Sequence, residues 1–374
     1  MSNKFLSLAA PGVQQLSPYL PGKPVEQLER ELGIKGSIKL ASNENPLGPG
    51  KAAVNAAMAA IKSVNLYPDG GGYLLSQALA EKHEVDAGCI TLGNGSNDVL
   101  ELIARAFLTP ELSAVVSEYA FAVYPIVTQA IGAKSIVAKA YAADHDSLPY
   151  GHDLDAIYKA IDHTTRVVFI ANPNNPTGTW LSPESLSVFL TKVPDNVIVV
   201  LDEAYYEYMP DELKPDSNSL LKQFSNLVLT RTFSKMYGLA GLRIGYAVSN
   251  PEIADLLNRV RQPFNANLIA QHSALAALDD IDHVKKSIEI NNTGLQQLIT
   301  GFDLLGLSYI PSIANFITVD VTKDAGPVYD ALLREGVIVR PLANYKMPDY
   351  LRVTVGTHDQ NTRVLAALKK VLGL

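Results

Sequence analysis

Cysteine is nearly missing from this chain. Cys89 is the one cysteine among 374 residues, so no disulfide can form within the chain, and a reducing, cytoplasmic setting is expected. A basic excess is missing as well. The formal net charge is −7, which argues against nucleic acid as a main partner, because phosphate backbones are held by basic surfaces. No run approaches the ~20 apolar residues that span a bilayer, so no membrane partner is expected. The first eleven residues carry one lysine, no long apolar core and no convincing cleavage site; no secretion signal is expected from them. The sequons at Asn94 and Asn291 therefore carry no meaning. The seven histidines form no His-Glu-x-x-His pair, and there is no Gly-x-Ser-x-Gly elbow. The zinc-peptidase and serine-hydrolase classes lose their motifs, and no metal site is expected.

What remains is a folded, globular composition, with 47% apolar and 18% charged residues, far from a disordered balance. The length allows two or three domains. Apolar runs at 114–116, 167–170, 197–201 and 227–229 each end abruptly in polar residues. Uninterrupted runs of this length suit strands buried on both faces. Between them lie helical patterns. One covers 97–108, with Leu100, Ile103, Ala104 and Phe107 on one face; another opens at Ser182-Pro183-Glu184, with serine as N-cap and proline in the first turn. The alternation predicts an α/β fold, a mostly parallel sheet flanked by helices. Beyond residue 265 the pattern changes. Helices are expected at 282–302, 326–335 and 359–372, and strands at 315–320, 336–340 and 350–355. The expected organisation is an extended N-terminal arm (1–45) packing with a small α/β domain (265–374), and a large ligand-binding domain between them (46–264).

The most informative stretch is 232–246. Thr232, Ser234 and Lys235 follow the last apolar run of the large domain; a glycine-rich loop and then Arg243 among apolar residues come next. Lysine and arginine are rarely buried without a partner. A surface turn accounts for the segment taken alone. The chemical alternative is a cofactor site, in which the lysine amine forms a Schiff base with an aldehyde while hydroxyls, loop backbone and arginine hold a phosphate. Other polar residues fall at strand ends, where open α/β sheets bind ligands. Asn175 lies in the turn-like 172–178, Asp202 ends an apolar run with Tyr205 three positions on, and Gly93 to Asn97 precede a helix whose N–H groups can receive phosphate. Each has a structural alternative: a turn, an N-cap, a strand-to-helix loop. Phe121 and Tyr124 read more often as core or surface packing than as ring-stackers. Together they supply what pyridoxal phosphate needs: a lysine, an aspartate for the ring nitrogen and a phosphate cradle.

With these residues goes a set of motifs: Ser17-Pro18-Tyr19-Leu20-Pro21-Gly22, the 40–49 segment containing Asn43-Glu44-Asn45-Pro46, Tyr67-Pro68-Asp69, Asn175-Pro176-Thr177-Gly178, Asp202-Glu203-Ala204-Tyr205 and Leu351-Arg352. Over nearly the whole chain the sequence resembles the fold-type I pyridoxal-phosphate aminotransferases, and within them the histidinol-phosphate subgroup. The resemblance implies pyridoxal 5'-phosphate as cofactor and Lys235, Asp202 and Tyr205 as catalytic residues. It implies Gly95, Ser96, Asn97, Phe121, Asn175, Thr232, Ser234 and Arg243 around the cofactor. It also implies a Tyr67 that reaches the partner's phosphate in a homodimer with a shared active site, and a cis Asn175–Pro176 bond. Arg352 is the implied grip on substrate anions, with Tyr19 and Arg340 beside it. A second anion-binding arginine of the aspartate-type enzymes has no counterpart that we can place. The implied reaction uses histidinol phosphate and 2-oxoglutarate in histidine biosynthesis. An aromatic amino acid aminotransferase would share nearly all these residues; a threonine-phosphate decarboxylase has a similar arm but releases carbon dioxide. A pyridoxal-phosphate-binding regulator lacks support, because no basic DNA-binding module precedes the arm.

Overall fold

The computed structural model describes residues 4–19 and 21–374. Leu20 of the Ser17–Gly22 motif and the first three residues of the expected arm lie outside the described residues. Along the chain the strands are β1 (Ile38–Lys39), β2 (Ile90–Gly93), β3 (Ser113–Ser117), β4 (Lys134–Ala138), β5 (Thr165–Ala171), β6 (Ile198–Asp202), β7 (Leu227–Thr232) and β8 (Gly245–Ser249). After these come β9 (Tyr309–Ile310), β10 (Phe316–Asp320), β11 (Val337–Ile338), β12 (Arg340–Leu342) and β13 (Met347–Thr354).

Seven of them form the central sheet, in the order β2-β8-β7-β6-β5-β3-β4. The run from β7 to β4 is parallel; β8 and β2 add an antiparallel edge. This is the α/β architecture the apolar runs predict. The reason shows in the alternation of side chains. Val199 and Leu201 of β6 enter one core while Ile198 and Val200 enter the other, and β5 divides in the same way. Helices must cover both faces of such a strand. Strands β2, β4 and β8 have no counterpart among the apolar runs. β2 is four residues long, β4 is an edge strand with partly exposed side chains, and β8 opens on glycine.

A second sheet, β12-β13-β10-β9, carries its own core of Phe302, Val319, Leu351, Val353 and Leu368. The single strand expected at 336–340 is two short ones. β11 pairs in parallel with β1, and β12 pairs with β13. Both halves are extended and apolar, so local pattern cannot divide them; the division comes from a partner some 300 residues away. The N-terminal segment is not wholly extended either. It contains the helix Val25–Leu32, ended by Gly33 in the left-handed region at φ 66°, a common helix stop. Its Leu28 packs with Ala41, Leu333 and Ile338.

Behind the ends of β6 and β7 lies a buried ion pair. Arg231 donates from Nε and Nη2 to Glu203 Oε2 at 2.7 and 2.6 Å. Ser217 Oγ donates to the other oxygen at 2.5 Å, and the guanidinium sits 3.6 Å from the Tyr206 ring centre. Removing Glu203 leaves the buried guanidinium with only the longer Glu207 contact, 3.6 Å from Nη1. Glu203→Gln is therefore expected to destabilise the fold by about 3 kcal/mol. Urea unfolding at pH 7 checks this, with partial recovery expected in the double variant Glu203→Gln/Arg231→Met.

Candidate active site

A cavity of about 500 Å³ opens at the carboxyl ends of β3, β5, β6 and β7. It is lined by Tyr19, Ser96, Asn97, Phe121, Asn175, Asp202, Tyr205, Thr232, Ser234, Lys235, Arg243 and Arg352. Sheet register places its acids and hydroxyls: Asp202 stands opposite Ala171 on one side and Thr230 on the other. Asp202 is buried and accepts hydrogen bonds from Tyr124 Oη at 2.7 Å and Thr230 Oγ1 at 2.9 Å. Burial pushes its pKa above the usual carboxylate range, against those hydrogen bonds and the nearby Lys235 charge. Tyr124 is therefore both core residue and site residue. A buried tyrosine hydroxyl needs a partner, and that need was the available signal for its role.

Lys235 lies three residues beyond β7, and its Nζ donates to Ser42 O at 2.9 Å. Burial, and then the Arg352 charge, bring its pKa down to about 8. Arg352, on β13 of the second sheet, is buried. Nη1 donates to Asn175 Oδ1 at 2.5 Å and Nη2 to Ala41 O at 2.7 Å; Nε has no partner among the described residues. Asn172–Pro173 and Asn175–Pro176 are both cis peptides. Residues 41–43 thus cross the cavity as a strap: Ala41 meets Arg352, Ser42 meets Lys235, and Asn43 Nδ2 donates to Tyr205 Oη at 2.9 Å. The sequence motif drew attention to 40–49 but assigned Asn43 no contact.

At the other end of the cavity, Ser96 begins the helix Ser96–Phe107, with Gly95 at its N-cap at φ 83°. A side chain at Gly95 would overlap Arg243 Nη2, so glycine is required there sterically as well as conformationally. Arg243 Nη1 donates to Ser234 Oγ at 3.3 Å, and Ser234 N donates to Thr232 Oγ1 at 3.1 Å. Helix N–H groups, two hydroxyls and a guanidinium converge on one spot, which is the donor set an anion calls for. Phe121 stands edge-on to Tyr124, ring centres 5.7 Å apart.

Three of the predicted site residues, Tyr67, Arg340 and Gly95, do not line the cavity of this chain. Tyr67 is 82% exposed and stacks on Phe264. Arg340 is buried beside it, with its guanidinium 5.5 Å from the Tyr19 ring centre. Gly95 contributes through Arg243 rather than through the wall. Among the described residues no group of three or more His, Cys, Asp or Glu is placed to hold a metal ion, and no helix is long and apolar enough to cross a membrane.

The sequence model of the family described as Aminotransferase class I and II matches residues 35–368. Histidinol-phosphate aminotransferase 2 of Pseudomonas aeruginosa is 58% identical over 370 residues, 98% of each chain. The chain belongs to the histidinol-phosphate aminotransferases. A second member of that family, from Pseudomonas fluorescens strain Pf-5, is 57% identical over all of this chain and 99% of its own. The crystal structure of histidinol-phosphate aminotransferase from Sinorhizobium meliloti in complex with pyridoxal-5'-phosphate aligns with a TM-score of 0.88. It is 29% identical and covers 97% of both chains.

Proposed function

We propose that this protein transfers the amino group of L-histidinol phosphate to 2-oxoglutarate, giving 3-(imidazol-4-yl)-2-oxopropyl phosphate and L-glutamate, with pyridoxal 5'-phosphate as cofactor. The observation that carries the reading is one cavity holding a lysine of lowered pKa, a buried carboxylate and an anion cradle. The donor set fits the cofactor. Ser96, Asn97, Thr232, Ser234 and Arg243 would hold its phosphate, Asp202 its ring nitrogen, Asn175 and Tyr205 its ring oxygen, and Phe121 a ring face. When bound, the cofactor supplies an aldehyde for the amine and a ring that accepts the electrons released at the substrate Cα.

The chain's own residues do the rest. Lys235 Nζ, neutral for part of the population near pH 8, takes the proton from the substrate Cα as a general base and gives one back as an acid. Asp202, acceptor-only when ionised, would keep a proton on the ring nitrogen of the bound cofactor. Arg352 binds the substrate anion, either the carboxylate of glutamate or the phosphate of histidinol phosphate, for which a planar guanidinium is suited. Tyr19, with the Arg340 guanidinium 5.5 Å from its ring centre, would share the phosphate contact with Arg340.

The proposal extends to assembly. Tyr67 lies outside its own cavity, in a stretch of sequence whose Met58, Ile61, Leu66 and Tyr73 are also exposed. Its position supports a homodimer in which it completes the partner's phosphate site. The chain would work as an arm (1–45), a cofactor domain (46–264) and a small domain (265–374) in the cytoplasm, within histidine biosynthesis. The separate core of the second sheet supports that division.

The test supplies purified protein with pyridoxal phosphate, histidinol phosphate and 2-oxoglutarate, and follows glutamate. Phenylalanine and tyrosine serve as competing donors. Glutamate from the aromatic donors alone replaces the substrate assignment; none from any donor removes the aminotransferase assignment. Activity regained on mixing Tyr67→Ala and Lys235→Ala proteins, under conditions where subunits exchange, is the expected sign of the shared site.

A further inference from the structure

We infer that Asn43 is a positioning residue that turns the hydroxyl hydrogen of Tyr205 into the cavity, toward the ring oxygen of the cofactor. The inference rests on the cofactor reading above. It begins with a residue whose every polar group is engaged. Asn43 is 1% exposed and holds φ 56°, a left-handed conformation that asparagine tolerates better than most residues. Its backbone N–H donates to Thr354 Oγ1 at 2.9 Å, and the same hydroxyl donates to Asn43 Oδ1 at 3.0 Å. Its carbonyl accepts from Asn315 Nδ2 at 2.9 Å.

This closed ring decides which way the amide points. Oδ1 accepts from the Thr354 hydroxyl; with the amide turned over, that buried hydroxyl could accept from Nδ2 on its second lone pair, but its own hydrogen would lose the acceptor it has among the described residues. Nδ2 therefore faces Tyr205 and donates to its oxygen at 2.9 Å. A phenol has one hydrogen and can accept as well as donate. With a donor fixed on the acceptor side, the hydrogen must go elsewhere, and no described residue accepts it. Tyr205 lines the cavity, so the hydrogen is available to a ligand there. Burial raises the phenol's pKa to about 12, which keeps that hydrogen in place at neutral pH. The charged and titratable groups interacting with Tyr205 are Arg352, Asp202, Tyr345, Tyr124 and Tyr208, with Lys235 Nζ 5.9 Å from its ring centre.

A donor at the ring oxygen favours the form that has lost the proton shared with Lys235, so it lowers the pH midpoint of the cofactor's visible absorbance. Asn43→Asp keeps the shape but replaces the amide donor with a carboxylate that accepts. The Tyr205 hydrogen then turns away from the cavity. The expected result is an upward move of the midpoint by about one pH unit, and less than half that move when the same substitution is made in a Tyr205→Phe background. An unmoved midpoint overturns the inference, and so does an equal move in both backgrounds, which would be a charge effect not carried by Tyr205. Asn43→Gly, suited to the left-handed backbone, provides a second neutral variant; a smaller rise that vanishes in the Tyr205→Phe background is expected, and a rise that persists overturns the inference. The unsubstituted protein and Lys235→Ala separate this failure from that of the cofactor reading. A visible band lost only on Lys235→Ala keeps the cofactor reading; no band in the unsubstituted protein removes both.

Discussion

Lys235→Ala is expected to abolish the visible absorbance of the protein mixed with pyridoxal phosphate and to lower kcat by at least about 10³-fold, within the ~10²–10⁴-fold range of general acid–base groups. Among the described residues Lys235 is the only lysine lining the cavity, and its hydrogen bond to Ser42 O holds the amine without taking its lone pair. A pH dependence follows. The amine's pKa is about 8, so the neutral, reactive fraction grows as pH rises through that value. The rate at which unloaded protein takes up pyridoxal phosphate should rise through about pH 8 and level off above it. Stability follows the same proton. The pKa in the fold lies below the ordinary lysine value of 10.5, so between the two the unfolded chain binds more protons. The unloaded protein should gain stability with rising pH across that window. Uptake that is flat from pH 6.5 to 9.5, or a visible band retained in Lys235→Ala, would remove Lys235 from this role.

Asp202→Asn should separate function from stability. The carboxylate accepts from Tyr124 and Thr230, but these bonds do not offset its burial, and its pKa is raised. The fold then binds more protons than the unfolded chain between the ordinary value of 3.8 and the raised one. Stability falls as pH climbs through that window, and above it the buried charge is a standing cost. An amide of the same shape relieves that cost. The unloaded Asp202→Asn protein should melt no lower than the unsubstituted protein at pH 7. Its kcat should nevertheless fall ~10²–10³-fold, because a fixed charge aimed at developing charge is lost. Calorimetry and the glutamate assay measure the two effects. A large drop in melting temperature together with lost activity would make Asp202 a structural residue instead.

Both residues were visible in the sequence for a physical reason. A strand buried on both faces must be apolar throughout, so the first polar residue after it marks where the sheet ends and a ligand can sit. That rule located Asp202 and, just past β7, Thr232 to Lys235. It gave Tyr124 no role beyond packing, because nothing local to a tyrosine says whether its hydroxyl reaches Asp202, 78 residues on. Nor could it place Tyr67, whose ring lies on the surface of its own chain.

The sequence by itself determined the α/β class and the strands that alternate between two cores. These follow from backbone geometry, side-chain period and turn chemistry over a few residues. Only the tertiary structure decided that the extended run at 336–340 serves two sheets. It alone laid the 41–43 strap over the cavity, with Arg352 reaching Ala41 across 311 positions and Asn43 reaching Tyr205 across 162. Such contacts form because the chain must bury its cores and satisfy its buried polar groups at the same time. No local pattern carries that joint requirement.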